Sequence, residues 1–210
     1  MKMKKLFLLC TVLFAVATAQ AAKRPNVVLV ITDDQGYGDL SCHGNPVLKT
    51  PNLDKLHSES VRLTDYHVAP TCSPSRAALI TGHWTNRTGV WHTIMGRSML
   101  RANEVTIGKI LGDGGYHTGM FGKWHLGNTP GKQGFQTAVN HRQLPGFKGH
   151  RGPDGAYLAD VLTKRTMDFI REHRGQPWCA YLAHFAVHTP LQAKRRLLAK
   201  YRNKPAGKLQ

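Results

Sequence analysis

The chain has 210 residues, the length of one domain or of part of a larger one. Lys and Arg number 29 against 12 Asp and Glu, a formal charge of +17, which suits an anionic partner or substrate. That charge is spread along the chain without aromatic residues interleaved through a basic platform, which argues against a nucleic-acid binder.

The first segment reads as a secretory signal. Met1 to Lys5 is a basic start, Leu6 to Ala17 is apolar, and Ala19-Gln20-Ala21 is a small-residue cleavage site, so residues 1–22 are expected to be removed. The apolar run is too short to span a membrane. A lipoprotein at Cys10 is the alternative, but Phe7-Leu8-Leu9 lacks a small residue before it. A bacterial-type signal places the protein in the periplasm or outside the cell, an oxidising setting. Cys42, Cys72 and Cys179 then remain, an odd set that leaves a thiol without an internal partner. A Cys42–Cys179 disulfide stays open.

"NVVLVIT" (26–32) is a β-branched run of the kind buried on both faces of a parallel sheet. It ends in Asp33-Asp34. "TPNLDKL" starts a helix with Thr50 as its cap and Pro51 in its first turn. "VRLTDYHV" (61–68) reads as a second strand. A helix follows from Cys72 to about Thr81 and stops at Gly82. Glu104 to Leu111 is another helix, and "YHTGMFGKWHLG" a strand running into a loop. Residues 127–155 are rich in Gly and Pro and read as a long loop or irregular insert. "AYLADVLTKRTMDFIREH" carries Leu158, Val161, Leu162 and Phe169 on one helical stripe. "WCAYLAHFAVH" is the next strand, and a basic helix follows Pro190. The alternation predicts an α/β fold with a mainly parallel central sheet flanked by helices. The basic run from Lys194 to Lys208 reads as a solvated helix face.

In such folds ligands bind beyond the carboxyl ends of the strands. Asp33-Asp34, Lys123 with His125, and His188 all follow predicted strands, and Cys72 follows one at the start of a helix. Anions bind at helix starts and thiols are acidified there. Arg76 lies one turn on, on the same face, with a fork suited to a tetrahedral oxyanion. Spacing alone leaves open a packed core cysteine beside a surface arginine.

Four stretches together carry a resemblance. "CSPSR" followed by "AALITG" resembles the signature of the type I, formylglycine-dependent sulfatases, arylsulfatase-like members of the alkaline phosphatase superfamily. "RPNVVLVITDDQGYGDL", "GYHTGMFGKWHLG" and "HFAVHTPLQA" resemble that family's first strand, its Gly-Lys-Trp-His-Leu-Gly segment and its His-Thr-Pro segment, in the family's order. The resemblance implies that a separate formylglycine-generating enzyme oxidises Cys72 to an aldehyde. Hydrated to a gem-diol, it attacks the sulfur of a sulfate ester, and its second hydroxyl then expels sulfate. Asp33 and Asp34, with the oxidised Cys72, are implied to bind a divalent cation, Ca²⁺ by the hardness of carboxylate oxygen. Arg76 and Lys123 are implied to hold the sulfate oxygens, and His125 to serve the nucleophile as base or hydrogen-bond partner. His188 is implied to touch the sulfate or protonate the leaving alcohol. Thr71, Ser73 and Ser75 read as capping or maturation-recognition residues, and Trp124 as packing.

Part of the family pattern is missing. A complete member carries a downstream strand ending in Asp-Asn-Gly or similar, a further lysine and a smaller subdomain around an antiparallel sheet. The expectation is that residues 23–210 are the N-terminal part of a sulfatase catalytic domain, with an incomplete sheet, an uncovered apolar edge and activity in question. The expected substrate is a sulfate ester, with sulfated carbohydrate among the candidates. Alternatives are a phosphonate monoester or phosphodiester hydrolase of the same superfamily, and a secreted polyanion-binding module without turnover.

Overall fold

The computed structural model describes residues 24–94 and 96–205; the expected signal peptide lies outside them. Four strands form one sheet in the order β1-β4-β2-β3, with β1 at Val27–Ile31, β2 at His117–Gly122, β3 at Thr137–Asn140 and β4 at Trp178–Ala183. All pairings are parallel. The helices are α1 (Pro51–Glu59), α2 (Cys72–Thr81), α3 (Thr85–Thr88), α4 (Ile107–Asp113), α5 (Leu158–Glu172) and α6 (Arg195–Tyr201). No helix among the described residues is long and apolar enough to cross a membrane.

Strand β4 is central and buried at every position, as a strand covered on both faces should be. One face packs with Ala77, Ile80, Met120 and Trp124, the other with Phe121, Leu158, Leu162 and Phe169. The apolar stripe read on α5 is therefore what covers the second face. Strand β1 departs from expectation. It pairs only with β4, and Val28 and Val30 stay 52% and 55% exposed, so one of its faces is open. Among the described residues nothing pairs with its outer edge.

Register fixes the site. Ile31, Gly122 and Ala183 lie in one row, since Ile31 and Gly122 both pair with Ala183, and Asn140 pairs with Gly122. Chain leaving that row emerges at one edge. Gly122 adopts φ +119, and a Cβ there would meet the Ala183 carbonyl oxygen at 1.8 Å. Only glycine lets β2 stay paired while Lys123 N–H donates to that carbonyl at 2.8 Å.

Several local expectations change. Residues 61–68 form no strand and are exposed, because no neighbouring strand accepts them. Helix α4 starts at Ile107 rather than Glu104; Thr106 is extended, and its hydroxyl accepts from Lys109 N–H at 3.2 Å, while Glu104 pairs with Arg101. Thr50 precedes α1 without capping it: its hydroxyl is drawn to Asp54 at 2.9 Å. The 127–155 stretch contains β3. Cys42 and Cys179 are both free, so the open disulfide is absent; burial pushes the Cys179 thiol up to about 11, which keeps it protonated and inert.

Candidate active site

Three of the four strand ends deliver the expected residues to one edge. Strand β1 ends at Ile31, which frees Asp33 and Asp34 from strand alternation. Asp34 adopts φ +57, and the two carboxylates part company. Asp33 is buried, with Oδ1 accepting from Arg76 Nη2 at 3.0 Å and Oδ2 from Lys123 Nζ at 2.5 Å. Its backbone is tied to the segment after β4: Asp33 N–H donates to Ala186 at 2.9 Å, and its carbonyl accepts from Val187 at 2.6 Å. Asp34 is exposed, with its carboxylate 3.7 Å from His188 Nε2.

Cys72 opens α2, which ends at Gly82 in the left-handed conformation (φ 66) that suits a helix stop. The approach to Cys72 is a loop rather than the expected strand. Its Sγ is 3.2 Å from His125 Nδ1. Ser73 is fully buried and donates to the His125 carbonyl at 2.7 Å, so it positions His125 and does not cap the helix. Thr71 makes no side-chain cap either, and Ser75 donates to Ala69 and Thr71 carbonyls. Arg76, one turn into α2, donates from Nη1 to the Lys123 carbonyl at 2.8 Å; its Nε is buried without a partner. Trp124 is buried and packs edge-on to Phe135, as expected.

The Asp33, Arg76 and Lys123 cluster carries two cations against one carboxylate. Buried charges persist when paired and hydrogen-bonded, and the remainder is one positive charge facing the edge. A cavity of about 260 Å³ is lined there by Asp33, Asp34, Cys72, Ser75 and Arg76. A second, of about 290 Å³, is lined by Lys123, His125, Asn140, His141 and Arg142. The pKa of His125 is lowered by burial first, then by Lys123, Arg142 and Arg76, so its ring favours the neutral form.

Sequence reasoning missed the hub of this edge. Phe185, just beyond β4, stacks with His141, His150 and His188 at 4.7, 4.8 and 4.9 Å between ring centroids. Lys123 Nζ sits 5.5 Å from the same ring. His150 Nε2–H donates to the His188 carbonyl at 2.7 Å and so braces that residue. A single aromatic in "HFAVH" carries no periodic signal; His188 is three residues on, but His141 and His150, which it also meets, are far away in sequence.

A hard cation is not assembled by these groups alone. Among the described residues no three His, Cys, Asp or Glu converge as a metal site. Two carboxylates, one of them already shared by two cations, fall short of the six to eight oxygens Ca²⁺ takes.

The parallel α/β sheet, with polar side chains gathered beyond the carboxyl ends of its strands, is the layout in which proteins of this class bind their ligands. The Sulfatase family model matches residues 25–207. The chain is 34% identical to Arylsulfatase J of Mus musculus over 218 residues, covering 89% of this chain and 36% of that protein. It is 46% identical to Arylsulfatase A of Homo sapiens over 125 residues, covering 57% of this chain and 25% of that one. A solved structure described as BT4656 in complex with its substrate D-glucosamine-2-N,6-O-disulfate superimposes with a TM-score of 0.74 at 30% identity, covering 87% of this chain and 38% of that chain. The chain belongs to the sulfatase family and spans about a third of the first of these relatives.

Proposed function

We propose that the protein hydrolyses sulfate esters, with Cys72 as the nucleophile position after oxidation to formylglycine by a separate maturing enzyme. One observation carries the reading: Cys72 Sγ lies 3.2 Å from His125 Nδ1 at the start of α2, beside a buried cluster with surplus positive charge. The oxidised residue supplies a hydrated aldehyde, with one hydroxyl to attack sulfur and another to release sulfate. A partly exposed side chain at the mouth of a cavity has room for that change.

The protein groups then divide the work. His125, neutral at ordinary pH, takes the proton from the attacking oxygen. Arg76 and Lys123 hold positive charge where the sulfate oxygens gain negative charge, and Asp33 fixes both cations so that little reorganisation is needed. His188, braced by His150 and Phe185, faces the leaving alcohol. A divalent cation held by Asp33 and Asp34 belongs to the same proposal, but those residues need further ligands and no step is assigned to it. A sulfated carbohydrate is the proposed substrate class, supported by the disulfated glucosamine bound to the 30%-identical relative. Export to the periplasm or the medium completes the reading.

A peptide mass map of protein from its native host tests the nucleophile: an aldehyde mass at position 72 supports it, and an unmodified thiol in an actively exported pool overturns it. Parallel rates on an aryl sulfate and an aryl phosphonate test the bond; faster phosphonate cleavage would move the protein to the other hydrolase class.

A further inference from the structure

We infer that Arg142 forms a second anion-binding position beside the sulfate site, taking a carboxylate or a further sulfate carried on the leaving-group side of the substrate. The assignment of that side rests on the sulfate-ester reading above. Strand β3 pairs in parallel with β2, with Asn140 opposite Gly122, so the chain leaving β3 emerges next to Lys123 and His125. The two exits line one cavity of about 290 Å³, Lys123 to His125 from one strand and Asn140 to Arg142, its arginine exposed, from the other.

The turn that presents Arg142 is anchored. Asn140 Oδ1 accepts from Arg142 N–H at 3.2 Å, Leu144 N–H donates to the His141 carbonyl at 3.3 Å, and the His141 ring stacks on Phe185 at 4.7 Å. The guanidinium itself is uncommitted. Among the described residues it forms no ion pair and donates no hydrogen bond, whereas Arg76, Arg101 and Arg171 each meet a carboxylate. No Asp or Glu lines the cavity to neutralise it. Its field already reaches the site, since it contributes, after burial, to the lowered pKa of both His125 and His141. A planar fork with open donors is the group that binds carboxylate or sulfate oxygens in pairs.

The test uses the full chain with Cys72→Ala, so that esters bind without turnover. Calorimetric titrations compare phenyl sulfate with its meta and para ring-carboxylated and ring-sulfonated analogues. One of the doubly charged esters should bind about tenfold tighter, as a charge-assisted pair allows. Arg142→Gln should remove that gain and Arg142→Lys should keep part of it, while phenyl sulfate shifts far less. No gain from the second anion, or equal weakening of all esters by Arg142→Gln, overturns the inference. A larger gain with carboxylate than with sulfonate identifies which oxyanion the position prefers. Turnover of phenyl sulfate by the unsubstituted, matured protein is read separately; its absence beside a preserved gain would sink the hydrolase reading and leave the anion position standing.

Discussion

At the scale of single residues, the commitment of Asp33 decides most of the site. A buried carboxylate shared by a guanidinium and an ammonium is costly to break, because either cation left alone is uncompensated. Asp33→Asn keeps the shape and removes the charge. It should lower unfolding free energy by about 3 kcal/mol, read in urea, with loss of turnover. Adding Lys123→Met should restore part of that loss, because one orphaned cation goes with it; strictly additive losses would show that the pair is not coupled. His141 makes a second prediction. Burial first, then Arg142, Lys123 and Arg76, hold its pKa down at about 4 from 6.5, against the pull of the Gly122 carbonyl. Between those values the unfolded chain binds a proton that the folded chain does not, so stability must fall as pH drops from 6.5 towards 4. His141→Phe keeps a ring on Phe185 and should flatten that slope by about 1–2 kcal/mol, discounted for the ring's contact with water. An unchanged slope in paired urea titrations would assign it to other groups.

At the scale of elements, the helix-start serine deserves its own experiment. Ser73 touches no reacting atom, yet its hydroxyl ties α2 to the loop after β2 through the His125 carbonyl. Ser73→Ala should lower kcat about tenfold with little change in KM, since the loss is in alignment rather than affinity. Ser73→Thr should recover part of it if the new methyl is accommodated; a pure stability loss with normal kcat would reduce Ser73 to packing. The same junction shows what the sequence made legible. Helix α2 could be read to the residue because its start, its apolar body and its glycine stop are local signals. The strand ends carrying Asp33 and Lys123 were readable for the same reason, whereas the last strand, expected to run to about His188, stops at Ala183 and leaves His188 on the loop beyond it. Residues 61–68 misled because a β-like composition does not supply a pairing partner. Strand β3 escaped because four residues in a Gly- and Pro-rich stretch become a strand only by lying against β2. With it escaped Asn140 to Arg142, part of the lining of the second cavity. Phe185 was hidden in another way: two of the three histidines that meet its ring, His141 and His150, come from distant stretches of the chain.

At the scale of the whole molecule, the formal charge, +17 for the full chain and 17 − 3 = +14 without Lys2, Lys4 and Lys5 of the expected signal, acts on an anion in the same direction as the local charge. The Asp33 cluster leaves a net cation, and Arg142, without an ion-pair partner among the described residues, adds another at the neighbouring cavity. On the proposed sulfate-ester reading, the substrate would be drawn in from beyond contact distance, and its rate of capture should depend on ionic strength. Raising NaCl from 0.01 M to 0.15 M shortens the screening length from about 30 Å to about 8 Å. Over that range kcat/KM for a singly charged aryl sulfate should fall several-fold, while kcat stays nearly constant because the buried pairs are screened little. An ester with a second anion should show roughly twice the slope on a log–log plot, since the attraction scales with its charge. Chloride must be the added anion, because sulfate would compete at the site itself. Equal slopes for the two esters would place their discrimination in short-range contacts at Arg142 rather than in the field of the molecule. No salt dependence at all would mean that the positive excess is neutralised before it reaches the cavity mouth.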